Sequence, residues 1–128
     1  MRVLIIEDEA AQSKTLSEKL IDAGYQVDIA ENLGDAKYYL DIRNYDLVLH
    51  GWTKTGGNGI GMVGDIKNNA HKTSVIVLSE RIDKESEIEA LRSGADDFIR
   101  KPLDYDILLV RIEAKLRFGA SNIIEIED

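Results

Sequence analysis

The chain has no cysteine among its 128 residues, which excludes disulfides, thiolate metal sites and thiol catalysis. Its two histidines, His50 and His71, are too few and too isolated for a His-rich metal centre. No apolar run approaches the roughly 20 residues needed to span a bilayer. The opening segment Met1-Arg2-Val3-Leu4-Ile5-Ile6 meets acids at once, so it reads as a strand and not as a secretion signal. A cytoplasmic protein without a membrane partner is therefore expected. Basic residues are also scarce: 16 Lys and Arg face 24 Asp and Glu, for a formal net charge of −8. That balance argues against this domain gripping a phosphate backbone by itself. It says nothing of a neighbouring domain, and the charge serves mainly solubility.

Hydrophobic residues make up 44% of the sequence and charged residues 31%, the composition of an ordinary globular domain able to bury a core unaided. Short β-rich runs alternate with segments of helical spacing. Residues 3–6 form a continuous apolar run, as in a strand covered on both faces. Residues 10–23 carry Leu16 and Leu20 at helical spacing, with Gly24 as a stop. A second strand follows over 25–30, and Asn32 caps a helix through Ala36 and Leu40. A third strand covers 47–50, a fourth 74–78 and a short fifth 97–100. Helices are expected around Met62, over about 84–93 before Gly94, and from Asp104 to Phe118, with Gly119 closing the last. Five βα units imply an α/β fold with a doubly wound, five-stranded parallel sheet. Residues 120–128 stand apart as either a disordered tail or the first strand of a further domain.

In such a sheet the chemistry collects at the carboxyl ends of the strands. Glu7 and Asp8 end the first strand, Ser79 the fourth, and Lys101-Pro102 follows the fifth. Two acids, a hydroxyl and a lysine outline a small phosphate- and metal-handling site. The third strand should bring a nucleophile, and Gly51 stands there instead. Strand alternation sends the neighbouring His50 to the opposite face. Thr53 and Thr55 are poor acceptors without an activating base. The run Gly56-Gly57-Asn58-Gly59 lacks the spacing of a phosphate-binding loop and reads as a tight turn. Gly61 and Gly64 fall inside the following helix, each costing roughly 1 kcal/mol against alanine.

Three segments carry a resemblance: Val3-Leu4-Ile5-Ile6-Glu7-Asp8-Glu9, Tyr45-Asp46-Leu47-Val48-Leu49, and Gly94-Ala95-Asp96-Asp97-Phe98-Ile99-Arg100-Lys101-Pro102-Leu103. Over residues 2–119 the chain resembles the receiver domain of bacterial response regulators of the OmpR/PhoB (winged-helix) class. It looks closest to the atypical orphan members. The resemblance implies a (βα)5 receiver, a flavodoxin-like fold, at residues 1–119, with 120–128 as linker or start of a DNA-binding domain lying outside this chain. It implies that Gly51 stands at the phosphoacceptor position and that Glu7 and Asp8 match the Mg²⁺-binding acids. Ser79, Phe98 and Lys101 match the hydroxyl, aromatic and lysine of the phosphate switch. It further implies a cis peptide before Pro102, and a homodimer through the fourth helix, fifth strand and fifth helix. Leu91, Arg92, Asp96, Asp97, Arg111 and Lys115 lie on that face, with Asp97–Arg111 as the pair bridging subunits.

Glycine has no nucleophile, so an acylphosphate at position 51 is impossible. Losing one negative charge about 4 Å from a cation removes on the order of 4 kcal/mol at an effective dielectric near 20. Lys101 is accordingly expected to pair with Asp8, with Mg²⁺ binding weak or absent and no other cofactor. The reading is a phosphorylation-independent, non-enzymatic receiver that dimerises and controls an attached DNA-binding domain. The alternative is a phosphotransfer receiver whose acceptor was mutated or replaced by another residue. A flavin-binding domain of the same topology has little support, since no aromatic-flanked phosphate loop follows the first strand.

Overall fold

A computed structural model describes residues 1–52, 59–70 and 72–127, with side chains through Arg117. Thr53, Thr55, the glycines of the following run before Gly59, and His71 lie outside the described residues. The elements alternate as expected: β1 (Arg2–Ile6), α1 (Ala10–Asp22), β2 (Gln26–Ala30), α2 (Leu33–Ile42), β3 (Leu47–Trp52), α3 (Gly59–Asn69), β4 (Ser74–Ser79), α4 (Lys84–Arg92), β5 (Asp97–Arg100) and α5 (Tyr105–Glu127). The five strands form one parallel sheet in the order β2-β1-β3-β4-β5.

Each central strand is apolar on both faces because both are covered. Leu4, Ile6, Val48, Trp52, Val75 and Val77 pack with Ala36 of α2, Met62, Val63 and Ile66 of α3 and Ala90 of α4. The alternate residues Val3, Ile5, Leu47, Leu49, Ile76 and Leu78 pack with Leu16 and Leu20 of α1 and Leu108 and Ile112 of α5. The period-two alternation of a strand thus divides one sheet into two cores.

Capping follows the local chemistry. The Asn32 side chain accepts from Asp35 N at 2.8 Å, Asp83 from Ser86 N at 2.9 Å, and Asp104 from Ile107 N at 3.1 Å. Gly24 and Gly94 follow α1 and α4 at φ +97° and +113°, the left-handed region open mainly to glycine. Gly119 behaves differently: α5 runs through it to Glu127, so the last helix does not stop there. A glycine ends a helix only by leaving helical dihedrals. In the helix interior it costs roughly 1 kcal/mol, and no proline follows to break the next turn. The expected boundary at residue 119 therefore falls within α5. No helix of the described residues is long and apolar enough to cross a membrane.

Candidate functional site at the carboxyl edge of the sheet

The register places the candidate residues. Ile5 pairs with Leu49 and Ile6 with His50, so the next residues, Glu7 and Gly51, come side by side at the edge. Trp52 pairs with Ser79, and Ser79 with Arg100, which brings Lys101 to the same edge. Lys101 N donates to Ser79 O at 2.7 Å, and the Lys101–Pro102 peptide is cis.

The lysine's partner is Glu7, at 2.7 Å from Nζ to Oε1, and not Asp8. Alternation explains the correction. Glu7 continues the Val3-Ile5 side of β1 and turns inward beside Gly51, whereas Asp8 is exposed as the chain leaves the sheet. Both ends of the ion pair are buried, with side-chain exposures of 8% for Lys101 and 5% for Glu7. Lys101 Nζ also donates to Gln12 Oε1 at 2.7 Å. Gln12 Nε2 donates to Glu9 Oε2 at 2.6 Å, and Glu9 N to the second Glu7 oxygen at 3.3 Å. The loop from β1 into α1 and the lysine after β5 thus close one ring of charge-assisted hydrogen bonds.

Gly51 is half-buried, with close neighbours on its inner side. A Cβ there would lie 3.0 Å from Glu7 Oε1, 3.1 Å from Ile6 O and 3.2 Å from Glu7 Cδ. His50 is 2% exposed on the other side of the strand, with Nδ1 2.9 Å from the Gly51 carbonyl oxygen. The carbonyl can only accept, so Nδ1 carries the proton.

The hydroxyl and aromatic positions are turned inward. Ser79 is fully buried; its Oγ donates to Trp52 O at 3.1 Å and accepts from Arg81 N at 2.9 Å. The Arg81 guanidinium lies 4.4 Å from the centroid of the Trp52 ring. Phe98 is 8% exposed in the core shared with α2, α3 and α4, with Arg100 stacked 5.7 Å from its ring centroid. A cleft of about 610 Å³, lined by Gln12, Glu80, Ile82, Lys101, Leu103 and Tyr105, opens beside the ion pair.

The donor set does not suit Mg²⁺, which calls for near-octahedral oxygen ligation including one or two free carboxylates. Glu7 is committed to Lys101, position 51 offers no oxygen from a side chain, and Asp8 stands by itself. Among the described residues no three acidic or imidazole side chains converge to hold a metal ion.

The α4–β5–α5 face carries ion pairs within the chain. Asp97 and Arg111 meet at 3.3 Å within one chain. Asp96 Oδ2 accepts from Lys67 Nζ at 3.0 Å and from Val75 N at 2.7 Å, so it serves the fold of its own subunit. Both acids lie within reach of basic or amide donors on adjacent elements, which sequence spacing does not reveal. Arg92 and Leu91 are exposed and Lys115 is half-buried. The apolar centre of the face is wider than Leu91 alone: Ile88, Leu91, Ile107 and Val110 are 37%, 44%, 53% and 65% exposed. Their i, i+3 spacing on α4 and α5, off the buried stripes, was the available signal. Gln12 was likewise overlooked, although its place in the first turn after β1 puts it at this edge.

Two titrating groups elsewhere are displaced. Burial, then the hydrogen bond to Asp28, pushes Tyr45 far above its ordinary range. The Ser86 hydroxyl, then its backbone N–H, holds the exposed Asp83 cap below the usual carboxylate value.

Comparison with known proteins agrees with this arrangement. The family model for the response regulator receiver domain matches residues 3–113. The virulence transcriptional regulatory protein PhoP of Salmonella typhimurium (strain 14028s / SGSC 2262) is 33% identical over 129 residues, spanning 98% of this chain and 58% of the relative. The chain therefore spans just over half the length of the curated relatives it matches. Among solved structures, HP1043, an orphan response regulator of H. pylori, is 38% identical with TM-score 0.83, over 91% of this chain and 96% of that one. An atypical orphan response regulator, described as revealing a phosphorylation-independent regulatory mechanism, is 39% identical with TM-score 0.82, over 92% and 97%.

Proposed function

The chain belongs to the response regulator receiver domain family, and from that footing we propose that it works without phosphorylation, as a non-enzymatic dimerising module controlling an attached DNA-binding domain. The observation that carries this reading is the state of the carboxyl edge. Position 51, read as the acceptor position by resemblance, is a glycine, and Lys101 is already paired with the buried Glu7 carboxylate. Phosphoryl transfer needs an in-line nucleophilic oxygen and charge neutralisation by a cation; glycine supplies no such oxygen and the Lys101 cation is already paired. His50 does not replace the acceptor, because it is enclosed in the core on the opposite face. The similarity to orphan regulators, one described as phosphorylation-independent, supports the same reading.

Regulation then falls to assembly. Ile88, Leu91, Ile107 and Val110 give the α4–β5–α5 face an apolar centre, rimmed by Arg92, Arg111 and Lys115. A two-fold axis through such a patch lets each residue meet its counterpart from the second copy. Residues 120–128 serve as the linker toward the effector domain, and the curated relatives, being transcriptional regulators, support a DNA-binding partner domain in the cytoplasm. Sedimentation of the chain with and without acetyl phosphate and Mg²⁺ tests the proposal. The same dimer should form under both conditions. A dimer appearing only with the phosphodonor, or a strict monomer at tens of micromolar, would overturn it.

A further inference from the structure

The ion pair at the carboxyl edge is more than what remains of a lost site. We infer that Glu7 has taken the space of the missing acceptor side chain, so that Gly51 and Glu7 form one coupled device closing the site to a divalent cation and to a phosphodonor. This deepens the phosphorylation-independent reading and rests on it.

The contacts around Gly51 carry the inference. A Cβ added there would come within 3.0 Å of Glu7 Oε1 and 3.2 Å of Glu7 Cδ, closer than the ~3.5–4.0 Å of ordinary packing. The side chain of any larger residue would extend into the volume that the Glu7 carboxylate now fills. Nor can Glu7 simply swing away. Oε1 holds the Lys101 ammonium at 2.7 Å and Oε2 accepts from Glu9 N at 3.3 Å. Gln12 braces the lysine from its other side at 2.7 Å. The Ile6 carbonyl, fixed by the β1 strand, also lies 3.1 Å from the same Cβ position. A side chain at 51 would thus press on Glu7 and force it to shift, and the Glu7–Lys101 pair is what a metal and an acceptor carboxylate would have to displace. Restoring the aspartate alone would place two carboxylates against one lysine in a slot already full.

A double-substitution cycle tests the coupling without any phosphodonor. Urea unfolding of the native chain, Gly51→Ala, Glu7→Ala and the double variant is followed through Trp52, the only tryptophan, which lies next to position 51. Contacting residues show non-additive effects, whereas independent ones add. Gly51→Ala should lower the folding equilibrium constant by at least about five-fold more in the native background than in the Glu7→Ala background. A coupling below that factor would overturn the inference. If Glu7→Ala does not fold, Glu7→Asp, one methylene shorter, runs the same cycle to the same criterion. A second readout is Mg²⁺ binding: Gly51→Asp with Glu7→Ala should bind at least about ten-fold more tightly than Gly51→Asp alone, and equal affinity would contradict the inference. Uptake of a phosphoryl group by the native chain would defeat the phosphorylation-independent reading while leaving the cycle intact. Absence of coupling would defeat this inference while leaving that reading in place.

Discussion

Replacing Lys101 with methionine removes the only cation, among the described residues, paired with a carboxylate that is 5% exposed in its side chain. Methionine keeps the length and apolar stem of lysine, so packing changes little and the electrostatic loss is isolated. Breaking a buried pair by removing one partner costs about 3–5 kcal/mol, because the remaining charge is left uncompensated. Glu7 is the charge left behind. Glu9 N still donates to the second oxygen, which trims the penalty. A loss of about 3 kcal/mol at pH 7 is therefore expected. Replacing both partners, Glu7→Leu with Lys101→Met, should recover most of the loss, as buried pairs exchanged for apolar residues are often neutral. Urea unfolding followed by Trp52 fluorescence reads both variants against the native chain. A loss under about 1 kcal/mol for Lys101→Met, the value of an exposed pair, would refute the reasoning.

Other consequences follow from single contacts. Gly61 is exposed within α3, and a Cβ there meets nothing within 4 Å, so Gly61→Ala should stabilise the chain by about 1 kcal/mol in urea unfolding. Tyr45 OH donates to Asp28 at 2.7 Å, and Tyr45→Phe should cost about 1 kcal/mol at neutral pH. Because the folded-state value of Tyr45 is raised above its ordinary 10.0, its contribution is whole below that pH and declines above it. Stability of the native chain should consequently fall more steeply in alkali than that of Tyr45→Phe, as thermal melts across that range would show. Val110, 65% exposed at the centre of the proposed interface, can be changed to Glu with little effect on monomer stability, within about 0.5 kcal/mol. The dimer dissociation constant should rise about ten-fold or more in sedimentation, and an unchanged value would place the interface elsewhere.

The sheet was legible because each strand is a short apolar run punctuated by caps and glycines whose chemistry is local. Asn32 and Asp104 cap as their positions suggest, and Gly24 and Gly94 stop their helices. The site was legible as a set of residues but not as a set of bonds. Glu7 and Asp8 are adjacent acids, and which of them meets Lys101 depends on where the chain leaves the sheet plane, a tertiary fact. Asp97 and Arg111 lie on β5 and α5, and only the fold brings them to 3.3 Å within one chain. Gly119 carried a stop signal that depends on φ, and composition does not set φ. The close neighbours of Gly51 were also invisible, since a sequence shows the missing side chain but not what fills its place.

The central claim, that this edge of the sheet neither needs nor accepts a phosphoryl group, is tested most directly by intact mass. The native chain is incubated with acetyl phosphate and Mg²⁺ and measured without acid quenching, which preserves labile adducts. The account predicts an unchanged mass, with the Glu7–Lys101 pair intact. A stoichiometric increase equal to one phosphoryl group would contradict it.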